Sequence, residues 1–393
     1  MGFLSGSMTF ERYWITSDPT PELGESHIKT LEKFSIEKQQ TSALEEPNIG
    51  FIAGSHLLDV NFSLAKNVIG DALHFAVRID TDQIPAAVRN AWLQMELLPL
   101  TVDNPSGKPT KAQREEAREL VEARCAEEAA TGKFRRMQQA SLLWDTSNDE
   151  IYVGSTSPTV REACVELLQR AFELEVEHVG SGRLAMTYAS EYEQLEALYG
   201  LSPAAFVDRD GPSGVNWWNG MSDNYDYLGN EFLLWLWWRW ETQGDMIQLS
   251  DDSKVCGMFA RTLALDCPVG ETGKETISAD SPVMLPEAAL AIRSGKLPRK
   301  AGLTLVRHDQ QYDLTLQAET FAVNGAKITQ IGNDNAADGQ DRIQQLREFS
   351  ETMDLLFDVF CERRLGKGWK ADLKNIQQWL QTDKPIRRRA AAA

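Results

Sequence analysis

Between Glu287 and Asp309 the chain carries no acidic side chain, while Arg293, Lys296, Arg299, Lys300 and Arg307 are all basic. Cations at this density can neutralise phosphates and release the counterions condensed on a duplex, giving salt-sensitive DNA affinity without sequence preference. Ser294-Gly295, just before Lys296, adds backbone amides for the same purpose. The plainer alternative is a helix end and loop carrying solvated cations. A second group, Lys133, Arg135 and Arg136, follows a long polar helix. It reads either as a further contact or as cations complementing the helix dipole. Both groups stand out because the chain has 58 acidic against 40 basic side chains and a formal charge of −18. Such a field repels nucleic acid and anionic membranes, so a DNA contact requires cations concentrated in one place.

Other chemistries find less support. Asp223, Asp226 and Glu231, or Asp245, Asp251 and Asp252, could hold Mg²⁺ for a nuclease, but they sit in turn-like contexts with no lysine or histidine at a supportive spacing. The five histidines are widely separated, and the five cysteines show no C-x-x-C spacing, so neither a metal motif nor a disulfide framework is expected. G-x-x-x-x-G-K-[ST], G-x-S-x-G and G-x-G-x-x-G are all missing, and Gly270-Glu-Thr-Gly-Lys-Glu-Thr fails the phosphate-loop spacing. The residues therefore point to a non-enzymatic protein without cofactor. Six of the eleven tryptophans (Trp217, Trp218, Trp235, Trp237, Trp238 and Trp240) lie close together. They could stack bases or serve a protein partner, yet Phe232–Trp238 is a helix-like apolar run in which buried packing is expected.

The elements that position these residues follow from periodicity. Residues 7–15 read as a strand, and Thr20-Pro21 opens a helix carrying Ile28 and Leu31. Gly50–Ser55 reads as a turn-rich stretch, His74–Ile79 as a strand, and Pro85 opens a helix with Val88, Trp92 and Met95 on one face. Thr110 and Gln113 form a capping box for a charged helix to about Ala130. With little but Leu120 and Val121 to bury, it should project from the body. A hairpin over 141–154, a helix from Pro158 and a strand at 174–179 follow. Pro286–Ser294 is a short helix. Strands at 301–307, 311–318 and 321–328 form a meander with turns at Asp309-Gln310 and Asn324-Gly325, and two helices close the chain, the first ending at Gly366. The fold class is α+β, with antiparallel sheets, packed helices and a projecting helical arm.

The expected organisation is an N-terminal part over 1–80, a helical projection over 81–140 and a hairpin-helix-strand part over 141–200. A Trp-rich insertion over 201–265 comes next, then the basic segment, meander and helix over 266–366, and a C-terminal helix with a basic tail over 367–393. The longest apolar run, Phe232–Trp238, is far short of the roughly 20 residues of a membrane span. Met1–Gly6 lacks the pattern of a secretory leader, so a cytoplasmic location is expected.

In order and spacing the chain resembles the recombination-associated protein RdgC family of bacterial DNA-binding proteins. Four stretches carry the resemblance: Ile52-Ala-Gly-Ser-His56, the charged helix leading through Phe134 into Leu142-Leu-Trp-Asp-Thr146, Ile292-Arg-Ser-Gly-Lys296 running into Leu303-Thr-Leu, and the helix Met353–Gly366. Residues 205–265 are longer and more aromatic than the family's segment and inherit nothing. The resemblance implies a head-to-head homodimer closing a ring whose basic hole admits double-stranded DNA without sequence preference, competing with a RecA-type recombinase and associated with the nucleoid. By position, Lys296 would face the hole, and Lys133, Phe134 and Arg135 would lie near a ring contact. The family has also been labelled an exonuclease, for which this chain shows no carboxylate-and-lysine set.

Overall fold

The computed structural model describes residues 2–17, 22–39, 47–102, 107–207, 225–268, 272–331 and 338–381. Thr20-Pro21, Trp217, Trp218, Asp223, Gly270-Glu271 and the basic tail lie outside the described residues. In chain order the first elements are β1 (Met8–Ile15), α1 (Glu25–Lys33), β2 (Asn48–Ile52), α2 (Leu64–Asn67), β3 (Val68–Ile69), β4 (Ala72–Thr81), α3 (Ala86–Val102) and α4 (Lys111–Ala130). There follow β5 (Arg136–Asp145), β6 (Glu150–Val153), α5 (Pro158–Phe172), β7 (Val176–His178), α6 (Ser181–Glu191), α7 (Leu195–Tyr199) and α8 (Tyr227–Thr242). The last are β8 (Met246–Gln248), β9 (Lys254–Asp266), β10 (Glu275–Ala279), α9 (Pro286–Arg293), β11 (Leu297–Arg307), β12 (Gln310–Gln317), β13 (Val323–Gln330), α10 (Gly339–Leu365) and α11 (Trp369–Gln381). The fold is mixed α+β with a large antiparallel sheet. It comprises two compact units, one of residues 1–20, 143–157 and 175–393, the other of 21–142 and 158–174.

In the first unit the strands run β10-β9-β11-β12-β13-β1-β6, with β8 on β9 and β7 on β1, and these pairings are antiparallel. Strands β11 and β12 alternate buried and half-exposed residues through Leu303-Thr-Leu-Val and Tyr312-Asp-Leu-Thr-Leu, as one covered sheet face requires. Helices α8 and α10 supply the cover. Trp237 and Trp240 pack on Phe259 of β9, and Phe349 packs on Phe10 and Tyr312. The tight approach of α8 rests on glycine, since a Cβ on Gly257 would fall 2.3 Å from the Trp240 ring. Beneath α10, Arg12 donates to buried Glu150 at 3.1 Å and to Asp354, and Trp14 and Tyr152 also donate to Glu150. Burial pushes the Glu150 carboxyl up, against the pull of Arg12.

Two local expectations are corrected in this unit. The meander holds, but Asn324-Gly325 lies inside β13 rather than in a turn. Gly325 has φ +61° and absorbs an extra residue where the β12–β13 register shifts. The chain instead reverses between Gln317 and Val323, and at the other hairpin the turn is His308-Asp309, both at positive φ, rather than Asp309-Gln310, because Gln310 already pairs with Arg307.

The second unit packs α1 and α5 against β2 and β4, with Phe51, Phe75 and Phe172 in mutual contact. Gly50–Ile52, expected as turn, is part of β2. A Cβ on Gly50 would fall 2.4 Å from Ile36 Cα, so glycine here lets the neighbouring segment close on the strand. Helix α1 begins at Glu25, later than Thr20-Pro21, with its first turn tied back through His27 Nδ1 and the Gly24 amide. The predicted capping box of α4 is present, Thr110 Oγ1 accepting from the Gln113 amide at 3.2 Å and Gln113 Oε1 accepting from the Thr110 amide at 2.8 Å. Helices α3 and α4 form a hairpin in which Trp92 is buried beneath the Arg124 guanidinium.

His74 sits inside this unit at 6% exposure, its Nε2 without a hydrogen-bond partner among the described residues, and burial lowers its pKa from 6.5 to about 4. Below pH 6.5 the unfolded chain takes up a proton that the folded chain resists until about pH 4. Stability therefore falls as pH drops through this window, by about 3 kcal/mol from this group. His74→Gln should flatten that part of the pH–stability curve measured by chemical denaturation, and an unchanged curve would count against a neutral buried imidazole.

Candidate nucleic-acid interface

The acid-free stretch of sequence does not form an acid-free surface, because carboxylates from other segments meet its cations. Lys296 Nζ lies 2.6 Å from Glu275 Oε2 with its side chain 13% exposed. Arg299 pairs with Glu319 at 2.6 Å and with Asp266 at 3.5 Å. Arg307, expected at a phosphate, is 3% exposed and held by Asp251, Glu351, Ser253 and Thr352. Arg293 Nε donates to the Leu380 carbonyl at 2.6 Å, at the end of α11. Lys300 differs: it is exposed and has no ion-pair partner among the described residues.

The second basic group lies in the other unit. Arg135 forms a two-pronged pair with Asp82 at 3.0 and 2.8 Å, Lys133 sits 3.4 Å from Glu128, and Arg136 is exposed at the start of β5. Phe134, expected at an interface, is half-buried, its ring 6.4 Å from Trp92 with Lys133 Nζ above it.

Lys300 belongs to a larger surface, the sheet face opposite α8 and α10. Strand register aligns its residues in cross-strand rows. One row is Thr276, Ala264, Lys300 and Gln317, and the next is Ser278 and Thr262 followed across Gly302 by Thr315 and Asn324. A third is Met258, Thr304, Asp313 and Lys327, and a fourth is Cys256, Val306, Gln311 and Thr329. All but Gly302 are half-exposed or exposed. Gly302 is needed where β9 bulges at Arg261, because a Cβ there would meet the Ala260 carbonyl at 2.0 Å.

On a chain of charge −18 these four rows hold two lysines and one carboxylate, Asp313. That carboxylate accepts hydrogen bonds from Thr304 Oγ1 at 2.6 Å and Gln311 Nε2 at 3.0 Å. Threonine, glutamine, asparagine and lysine are among the donors that contact phosphate oxygens, and such backbone contacts carry no sequence information. The rows contain no aromatic side chain, so they offer no stacking platform for single-stranded bases.

Three of the six carboxylates considered as metal ligands have structural partners. Glu231 is buried against Arg364, Asp226 caps the Gly182 amide, and Asp251 holds Arg307 and Ser253. Among the described residues no group of three potential metal ligands is present. Trp235, Trp237, Trp238 and Trp240 are each at most 6% exposed, so α8 is packing and presents no tryptophan to a base or a partner. No described helix is long and apolar enough to cross a membrane.

A scan against protein-family models returns no match for this chain, and a search of curated proteins returns none either.

Lys327 was missed by sequence reasoning because it lies outside the acid-free stretch. Within β12 the alternation Gln311, Asp313, Thr315, Gln317 places those residues on one face by period two, but it does not reach Lys327 on β13. Which cations would be neutralised was not readable, because Glu275, Glu319, Asp251 and Glu351 are remote from their partners in sequence.

Proposed function

We propose that this chain is a non-enzymatic protein that binds double-stranded DNA without sequence preference, through the open face of the β10-β9-β11-β12-β13 sheet. The observation that carries the reading is that face's composition: Lys300 and Lys327, rows of hydroxyls and amides, and one carboxylate already bonded, on a strongly acidic chain. Lys300 and Lys327 take phosphates, and the threonines and glutamines position the backbone. Lys296, Arg299 and Arg307 serve mainly to hold intrachain carboxylates. The net charge of −18 discourages contact with DNA elsewhere on the chain. Titrating a labelled duplex of random sequence should give binding that is indifferent to sequence and falls steeply with salt. No retarded species at low salt would remove the reading.

The working form in this proposal is a homodimer that closes a ring around DNA, as the resemblance to the RdgC family implies, limits access by a RecA-type recombinase and associates with the nucleoid. Support for self-association comes from the α3–α4 hairpin, where Met95 and Leu98, one turn apart on α3, are 62% and 69% exposed and Leu120 on α4 is 55% exposed. Two large apolar side chains exposed one turn apart on the same helix are the kind of feature a contact surface would cover. Met95→Asp with Leu98→Asp should shift the mass in solution from dimer to monomer without loss of helix content. A wild type that is monomeric at all concentrations would remove the dimer.

A further inference from the structure

We propose that Asp313 is an intrachain stand-in for phosphate, engaging the donors of the sheet face until a duplex displaces it. This rests on the duplex-binding reading and concerns how that same site is regulated. Asp313 lies between Thr304 of β11 and Lys327 of β13, its direct register partners on the two sides. Opposed residues on one face of such a ladder have Cβ atoms about 5 Å apart. Its Oδ1 accepts from Thr304 Oγ1 at 2.6 Å and its Oδ2 from Gln311 Nε2 at 3.0 Å. A hydroxyl and a carboxamide thus bond a fixed anion, and a lysine stands as its register partner on the next strand; hydroxyl, carboxamide and ammonium are donor types that contact phosphate oxygens.

Two consequences follow from the charge. A phosphate arriving at this row competes with a carboxylate for the Thr304 and Gln311 donors, so part of each new bond replaces an old one. The same carboxylate also offsets Lys327, so the face neutralises about one phosphate fewer than its lysines would allow. Asp313 thereby weakens the grip on DNA and shortens each contact, which suits a protein that must move along a duplex or let go of it.

The test is fluorescence anisotropy of a labelled random-sequence duplex with the full chain, comparing wild type, Asp313→Asn and Asp313→Ser across a salt series. Both variants should bind more tightly, by roughly eightfold near 0.1 M salt, with a slope of log K against log salt steeper by about 0.9, the worth of one more neutralised phosphate. Adding Lys327→Gln should erase the gain. If wild type binds and both variants match it or bind more weakly, Asp313 is not a competitor and this inference fails while the duplex reading stands. If neither wild type nor either variant binds, both fail together. The serine variant guards against asparagine reproducing the carboxylate's hydrogen bonds.

Discussion

Lys300→Glu combined with Lys327→Glu should lower affinity for a random-sequence duplex by at least about a hundredfold near 0.1 M salt. Each phosphate contact contributes about 0.9 to the salt exponent, so losing one at this salt removes a factor of roughly eight. Two lost contacts give about sixtyfold, and reversing the charge adds repulsion between the new carboxylates and the backbone. The control is Lys367→Glu with Lys370→Glu, which changes net charge equally at two exposed residues outside the four rows. That pair should change affinity severalfold at most. Equal losses in the two variants would mean that total charge governs binding and the sheet face does not.

The largest stability effect is expected at the pair joining α8 to α10. Glu231 and Arg364 lie 2.6 Å apart with side chains 2% and 5% exposed, Glu231 also accepts from the Ala204 amide, and Arg364 donates to the Ser202 carbonyl and stacks over Trp369. Arg364→Met removes the ion-pair partner of Glu231 in the interior, which should cost about 3–5 kcal/mol in chemical denaturation. Glu231→Leu placed on top should recover part of that loss, since replacing a buried pair with apolar groups of similar volume is often close to neutral. Recovery stays incomplete because the Ala204 amide loses its acceptor. A single-variant loss below about 1 kcal/mol, the worth of a surface pair, would show that water reaches the site.

Much of the fold was legible in the sequence wherever one segment's pattern is decided by that segment alone. The Thr110–Gln113 cap, the end of α10 at Gly366 and the buried stripe Ile343, Leu346, Met353, Leu356 and Phe360 are of this kind. Gly50 and Asn324-Gly325 misled because glycine signals a turn locally. Here one glycine admits the backbone near Ile36 and the other absorbs a bulge, and both partners lie elsewhere in the chain. The functional surface divides in the same way. A stretch of five cations was visible, but only Lys300 reaches solvent unpaired among them and also lies in the four rows. Lys327, Asp313 and the threonine rows come together through strand register, which a linear scan for charge does not weigh.

The salt dependence of duplex binding tests the sheet-face interface most directly. Wild type should show a steep linear fall of log K with log salt, and Lys300→Gln with Lys327→Gln should reduce the magnitude of that slope by about 1.8, two phosphate contacts' worth. An unchanged slope in the double variant, or a wild type with no duplex affinity at low salt, would contradict the assignment of DNA binding to this face.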